Sequence, residues 1–152
     1  MTPPRNIVQF NQVVAVTLVK LYAAFPNPIA LRGRDIGAEA ATDFEDDAEQ
    51  FQLMTETAGN TIGFLVQEGF IRYDPTAGHI GGPEYPSATL TLKGFTLLGT
   101  TPEAVDEAVE RRPFINQLQD VVQDGARASA TKVVGSLFTG ALRLGAAAVG
   151  AV

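Results

Sequence analysis

Apolar residues recur at helical spacing near the start of the chain. Four apolar residues recur at spacings of four, three and four, which places them on one face of a helix: Val14, Leu18, Leu21 and Phe25. The pattern predicts a helix over residues 8–25. The Pro-Asn-Pro segment at 26–28 ends it, because proline lacks a backbone N–H and disfavours a helical residue before it. A short edge strand is predicted next, at residues 29–31.

The segment between the first strand and residue 69 contains the signals of three helices. We predict a turn at 32–34, a short helix at 35–41, and a capping box at 42–45 (Thr-Asp-Phe-Glu) that begins a second helix. Gly59-Asn60 breaks or bends this second helix, and a third helix runs over 60–68 until Gly69 ends it. The inward-facing residues are Phe44, Ala48, Phe51 and Met54 in the second helix and Ile62, Leu65 and Val66 in the third.

Two segments rich in aromatic and β-branched residues predict the strands of a hairpin. They are residues 70–73 (Phe-Ile-Arg-Tyr) and 88–92 (Ala-Thr-Leu-Thr-Leu). The loop between them, 74–87, contains three glycines and three prolines. Residues 93–98 then predict a helix.

Capping signals predict more helices beyond residue 100. Thr-Pro-Glu at 101–103 begins a helix that runs to Arg111-Arg112, and Pro113 begins the next one. Within the latter, the residues that share a face are Ile115, Leu118 and Val122. Residues 125–131 predict a bend because they are small and polar.

The C-terminal segment, residues 131–152, predicts an amphipathic helix rich in glycine and alanine. Its polar face carries Lys132 and Arg143. We interpret its apolar face as an oligomerisation surface, because small residues allow a second helix to approach closely. Packing against its own domain and binding to a membrane surface are the alternatives. The predicted oligomerisation residues are Val134, Leu137, Phe138, Ala141, Leu144, Gly145 and Ala148.

Charge is distributed unevenly along this chain of net charge −6. Residues 35–71 contain nine acids and no lysine or arginine, whereas residues 125–152 contain three bases and no acid. The two regions therefore present opposite fields. The predicted acidic surface consists of Asp43, Asp46, Asp47 and Glu49. The chain has no cysteine and begins without a signal-peptide pattern, so a cytoplasmic location is expected.

No group of residues with the pattern of a catalytic or cofactor site stands out. His79 is the single histidine, the serines lack a Gly-x-Ser-x-Gly context, and no phosphate loop or dinucleotide motif occurs. A metal site made by Asp74, His79 and Glu84 would match no common ligand spacing. We expect a protein that is not an enzyme and needs no metal or other cofactor.

Residues 62–98 resemble winged helix-turn-helix regulators of the broad MarR/PadR type. The resemblance rests on the helix-to-strand joint at 65–71 (Leu-Val-Gln-Glu-Gly-Phe-Ile) and on the strand-to-helix joint at 90–98 (Leu-Thr-Leu-Lys-Gly-Phe-Thr-Leu-Leu). It implies a helix that reads a partner and a loop, the wing, at residues 74–87. The partner-binding residues that it implies are Asn60, Thr61, Gln67, Arg72, His79 and Lys93.

These patterns predict a mostly α fold with a small β-hairpin (α+β). We expect a winged-helix domain at 6–100, connecting helices at 101–124 and a glycine/alanine-rich helix at 125–152. Because the predicted reading helix has no base, we expect a module that binds a basic protein surface and self-associates. A DNA-binding transcriptional regulator and a small membrane-acting effector are the alternatives.

Overall fold

The computed structural model describes residues 4–40, 48–76, 84–102, 111–124 and 127–150, with side chains along the last helix from Ser129 to Arg143. Over these residues the chain forms six helices and a three-stranded antiparallel sheet, which confirms the predicted mostly α fold. The elements are α1 (Arg5–Ala24), β1 (Ile29–Arg32), α2 (Gly33–Ala40), α3 (Ala48–Gln67), β2 (Ile71–Arg72), β3 (Glu84–Leu90), α4 (Leu92–Leu98), α5 (Phe114–Asp124) and α6 (Arg127–Gly150).

Helix α1 is the centre of the fold and packs against α2, α3, α5 and α6. Val14, Leu18 and Leu21 are fully buried, so the predicted inward face is confirmed. The helix begins at Arg5, three residues before the predicted start, and the Arg5 guanidinium donates to the Gln50 side-chain oxygen of α3 at 3.0 Å. Because its apolar stripe contacts helices from both halves of the chain, α1 joins them into one core.

Strand β3 lies in the middle of the sheet, with β1 and β2 on its two edges. It begins at Glu84, four residues before the predicted start, and contains Pro86. A proline inside a central strand is tolerated at a bulge. The pairing with β1 shifts register between Ile29 and Leu31, and Ser87 has a positive φ of 49°. The bulge explains why a segment with the composition of a loop forms a strand.

The predicted break at Gly59-Asn60 is wrong, because α3 is a continuous helix of 20 residues. A glycine costs about 1 kcal/mol in a helix, and tertiary contacts outweigh that cost here. Gly59 is buried, and its carbonyl oxygen accepts a hydrogen bond of 2.9 Å from the Tyr85 hydroxyl of β3. Of the inward positions predicted for its first half, Met54 is buried, whereas Ala48 and Phe51 are exposed.

The joint after α3 forms as predicted around Gly69. Its φ of +82° is in the left-handed region, where a residue without a Cβ is favoured. The Gly69 N–H donates to the Val66 carbonyl and the Phe70 N–H to that of Leu65, the two hydrogen bonds of a Schellman motif. The chain therefore turns directly from α3 into β2.

Two predicted connections and one predicted inward-facing residue are wrong. The turn at 32–34 is absent, because Arg32 ends β1 and Gly33 begins α2. On α5 the last inward-facing residue is Val121, whereas Val122, which was predicted to face inward, is exposed. The bend predicted at 125–131 does not extend past Arg127, where α6 begins. Most of the helix predicted at 101–112 lies outside the described residues.

Helices α5 and α6 fold back onto α1, although the sequence assigned them to segments after the winged-helix domain. The Asn11 side chain of α1 is buried and donates to the Thr131 hydroxyl of α6 at 3.3 Å. Ala130, Val134 and Leu137 of α6 are fully buried. The C-terminal helices thus complete the core that α1 begins.

Candidate functional site

The solvent-exposed side of α3 forms one continuous stripe along the helix. We name the following residues, which recur at spacings of three and four, the α3 face: Leu53, Glu56, Asn60, Phe64 and Gln67. Leu53 is 52% exposed and Phe64 is 40% exposed. The two side chains are about 16 Å apart along the helix, so they form two separate apolar positions within a polar stripe.

The opposite side of α3 holds the helix in place against the sheet. A Cβ added to Gly63 would lie 2.8 Å from the Tyr85 hydroxyl, so the absence of a side chain lets the tyrosine approach. Burial, followed by the effect of the nearby Tyr73, raises the pKa of the Tyr85 phenol above its ordinary value. The phenol therefore stays neutral and donates to Gly59 throughout the neutral pH range.

Thr61 does not belong to the exposed surface, which corrects its prediction as a partner-binding residue. Its side chain is buried, and its hydroxyl donates to the Thr57 carbonyl at 2.7 Å within the same helix. The error follows from the helix break expected at residue 60, because in a continuous α3 the position after Asn60 turns toward the core. Asn60 and Gln67 are exposed, as their predicted role requires.

Acidic side chains determine the charge of α3. The helix contains Glu49 and Glu56, has no lysine or arginine, and is followed directly by Glu68. Glu49 is exposed, whereas the other predicted members of the acidic surface lie outside the described residues. Those other members are Asp43, Asp46 and Asp47. Glu49, Glu56 and Glu68 give α3 and its C-terminal end a net negative charge.

The bases beside the wing differ in their freedom to contact a partner. The Lys93 ammonium donates to the Glu68 carbonyl at 2.9 Å and lies 4.8 Å from the centre of the Phe70 ring. It therefore caps the end of α3. Arg72 on β2 is exposed, whereas His79 lies outside the described residues.

Hydrogen bonds from Thr76, at the start of the wing, lower the pKa of the Asp74 carboxyl.

An aromatic cluster supports one end of the α3 face. The Phe64 ring packs edge-on against Phe10 of α1 at 5.4 Å and Phe138 of α6 at 6.2 Å between centroids. Phe70 lies 5.7 Å from Phe138. Because the cluster joins three helices, the exposed part of Phe64 is held in a fixed position next to α6.

The oligomerisation surface predicted on α6 is wrong for the part that the structure describes. Val134, Leu137 and Ala141 are buried within the chain itself, and Phe138 is half-buried in the aromatic cluster. The apolar stripe is satisfied by α1 and its neighbours, which was the alternative of packing on its own domain. The remaining predicted residues lie on α6 beyond its last described side chain: Leu144, Gly145 and Ala148.

The side of α6 that does face solvent is mostly polar and basic. We name the following exposed or half-exposed residues the α6 face: Lys132, Gly135, Thr139, Leu142 and Arg143. Leu142 is 75% exposed, and a Cβ added to Gly135 would meet no atom within 4 Å. This surface was not predicted as a binding face, because the apolar stripe on the other side of the helix was expected to make the contact.

No family model matches this chain, and the searches of curated proteins and of solved structures returned no match either. The interpretation of the site therefore rests on its geometry.

Other places in the described residues offer little chemistry. A groove of about 420 Å³ lies between α1, β1 and α2. Its two cations already have partners, since Lys20 pairs with Glu39 at 2.7 Å and Arg32 with Glu84 at 3.3 Å. Among the described residues, no group of three or more His, Cys, Asp or Glu side chains is arranged so that it could hold a metal ion. Helix α1 has the length and apolar content of a membrane span, but core helices of soluble proteins share both properties.

Proposed function

We propose that this protein is a non-enzymatic binding module that contacts a protein partner through the α3 face. The observation that carries this proposal is the exposed stripe on α3, which combines Leu53 and Phe64 with the acid Glu56 and has no base. Apolar anchors surrounded by polar groups are the usual composition of a protein-binding surface.

A winged helix-turn-helix is the proposed architecture of residues 5–98. Three helices and three strands follow one another in the order α1, β1, α2, α3, β2, β3. The strands form one sheet in the order β1-β3-β2. The element order supports the resemblance seen in the joints around Gly69 and Thr91. In this architecture α3 is the helix that meets the partner, and it is the helix with the exposed stripe.

Charge favours protein over DNA as the partner. A protein that binds duplex DNA displaces counterions with several lysines or arginines. Helix α3 has none, Lys93 is held at the Glu68 carbonyl, and Arg32 is paired with Glu84. The burial of Val134 and Leu137 disfavours membrane binding through the described part of the apolar stripe of α6.

A basic amphipathic helix is the partner chemistry that fits the α3 face. Leucine or a similar side chain on the partner would cover Leu53 and Phe64, and its lysines or arginines would lie against Glu56. The rigid aromatic support of Phe64 lowers the entropy cost of binding, because this ring is already ordered in the free protein.

Titration with synthetic probes tests the proposal. The probes are an amphipathic helical peptide with leucine on one face and lysine on the other, the same peptide with glutamate in place of lysine, and a mixed-sequence DNA duplex. We expect the basic peptide to bind. Leu53→Ser should weaken it about tenfold, the loss typical of an interface anchor. The matched control is Leu92→Ser, which removes a leucine that is 81% exposed on α4.

Two outcomes would contradict the proposal. One is equal weakening of the peptide by both serine variants, which would mean that the α3 face is not the contact. The other is DNA binding that falls steeply with salt and is lost on Arg72→Ala, because this would identify a nucleic-acid surface at the wing.

A further inference from the structure

We propose that the partner of the α3 face is the α6 face of a second copy of this chain. This inference rests on the proposed function, because it names the occupant of the same surface. Two copies would pair about a two-fold axis, so that each contributes its α3 face to one contact and its α6 face to the other. The resulting dimer is isologous and closed.

Charge complementarity is the first argument for this occupant. Helix α6 contains Arg127, Lys132 and Arg143 and no acid, whereas α3 contains two glutamates and no base. Lys132 and Arg143 are exposed, as is Glu56 on the opposing face. A second copy thus supplies the basic helical surface that the α3 face requires, and two α3 faces or two α6 faces would repel each other.

The proximity of α3 and α6 is the second argument. The rings of Phe64 on α3 and Phe138 on α6 lie 6.2 Å apart, so the two helices are neighbours at the aromatic cluster. A two-fold axis that passes between neighbouring faces lets both contacts form at once. If the faces lay on opposite sides, the same contact would propagate into a filament.

The shape of the faces is the third argument. The surface over Gly135 is open, since a Cβ there would meet no atom within 4 Å, and Thr139 is the next exposed residue one turn later. Small residues at this point let a second helix come within about 8–10 Å between axes. When Lys132 lies beside Glu56, Leu142 on α6, which is 75% exposed, has Phe64 as its apolar contact.

Site-specific crosslinking tests the geometry directly. The chain has no cysteine, so Asn60→Cys and Thr139→Cys each introduce a single thiol, at the middle of the α3 face and of the α6 face. The two purified variants are mixed and treated with a short bismaleimide. We expect the 60–139 crosslinked dimer to be the main product. Dimers that form mainly as 60–60 or 139–139 products, or no crosslinked dimer at all, would overturn the proposal.

Sedimentation analysis of dimerisation tests the energetics. Leu142→Ser and Leu53→Ser should each raise the dimer dissociation constant by about tenfold or more, whereas Leu92→Ser should leave it unchanged. Glu56→Lys and Lys132→Glu should each weaken self-association, and mixing the two variants should restore it, because their faces are complementary again. A mixture of the two charge variants that does not regain self-association would overturn the proposal. Leu142→Ser and Leu53→Ser variants that dimerise as well as Leu92→Ser would also overturn it.

Failure of this inference can be told apart from failure of the proposed function. A chain that stays monomeric but binds the basic peptide through Leu53 overturns the second copy as partner and leaves the docking function in place. A chain that neither dimerises nor binds the peptide overturns both.

Discussion

At the scale of single residues, two glycines in helices have opposite surroundings. A Cβ on Gly94, in the first turn of α4, would lie 2.5 Å from the Phe70 carbonyl oxygen and 3.3 Å from its carbon. Backbone atoms cannot move aside as the end of a side chain can, so α4 approaches the start of β2 at a distance that only glycine permits. Gly135 on α6 has open space around it.

Alanine substitutions at these two positions should therefore change stability in opposite directions. We expect Gly94→Ala to lower the free energy of unfolding by about 1–3 kcal/mol, because the added methyl overpacks the joint. Gly135→Ala should raise it by about 0.5–1 kcal/mol, the usual gain in a helix interior. Urea denaturation of both variants measures the difference. A stabilising Gly94→Ala would show that α4 is not held this close to β2.

At the scale of elements, Thr91 connects the end of α3 with the start of α4. Its hydroxyl accepts a hydrogen bond from the Gly94 N–H at 3.1 Å, which caps α4, and donates to the Gly69 carbonyl at 2.5 Å. Its own N–H donates to the Phe70 carbonyl at 3.0 Å. The orientation of α3, and with it the direction of the α3 face, depends on this joint.

Removal of the Thr91 hydroxyl should loosen both helices. Thr91→Val keeps the shape but loses the cap and leaves the Gly69 carbonyl without its donor, so we expect a loss of about 1–2 kcal/mol in the free energy of unfolding. Thr91→Ser keeps the hydroxyl and is the control, with a smaller loss. Similar losses for valine and serine would mean that the methyl group, rather than the hydrogen bonds, matters here.

At the scale of the whole molecule, α6 has separate inward and outward faces. Leu137 is fully buried next to the other helices, whereas Leu142, five residues later, is 75% exposed. The inward face contributes to the core, and the outward face is exposed to solvent. Changes on one face should therefore alter stability, and changes on the other should alter association.

Leucine-to-alanine substitutions can separate these two roles. Leu137→Ala should lower the free energy of unfolding by about 2–5 kcal/mol, the cost of a cavity in a core. Leu142→Ala should change it by less than about 0.5 kcal/mol in dilute solution, as is usual for exposed positions. Thermal unfolding followed by circular dichroism compares them. If Leu137→Ala unfolds at the temperature of the unmodified chain, α6 does not pack on α1.

Several elements can be placed from local signals in the amino-acid sequence. The 3.6-residue period of Val14, Leu18 and Leu21 defines the buried face of α1 without reference to any other segment. The left-handed turn after α3 needs a residue that tolerates a positive φ, and Gly69 marks it. Asn60, Gln67 and Arg72 are exposed as expected, so part of the candidate surface was also predictable.

Other features depend on contacts between segments that are distant in the sequence, so they become visible in the folded chain alone. The Tyr85 hydroxyl binds the Gly59 carbonyl inside an unbroken α3, against the local tendency of a glycine to end a helix. The apolar stripe of α6 predicts that one face of this helix is buried, but its periodicity does not identify the surface that covers it. In the structure, Val134 is buried within the same chain. Which residues remain exposed as a binding surface is a property of the packed core, since each face is defined by what its neighbours leave uncovered.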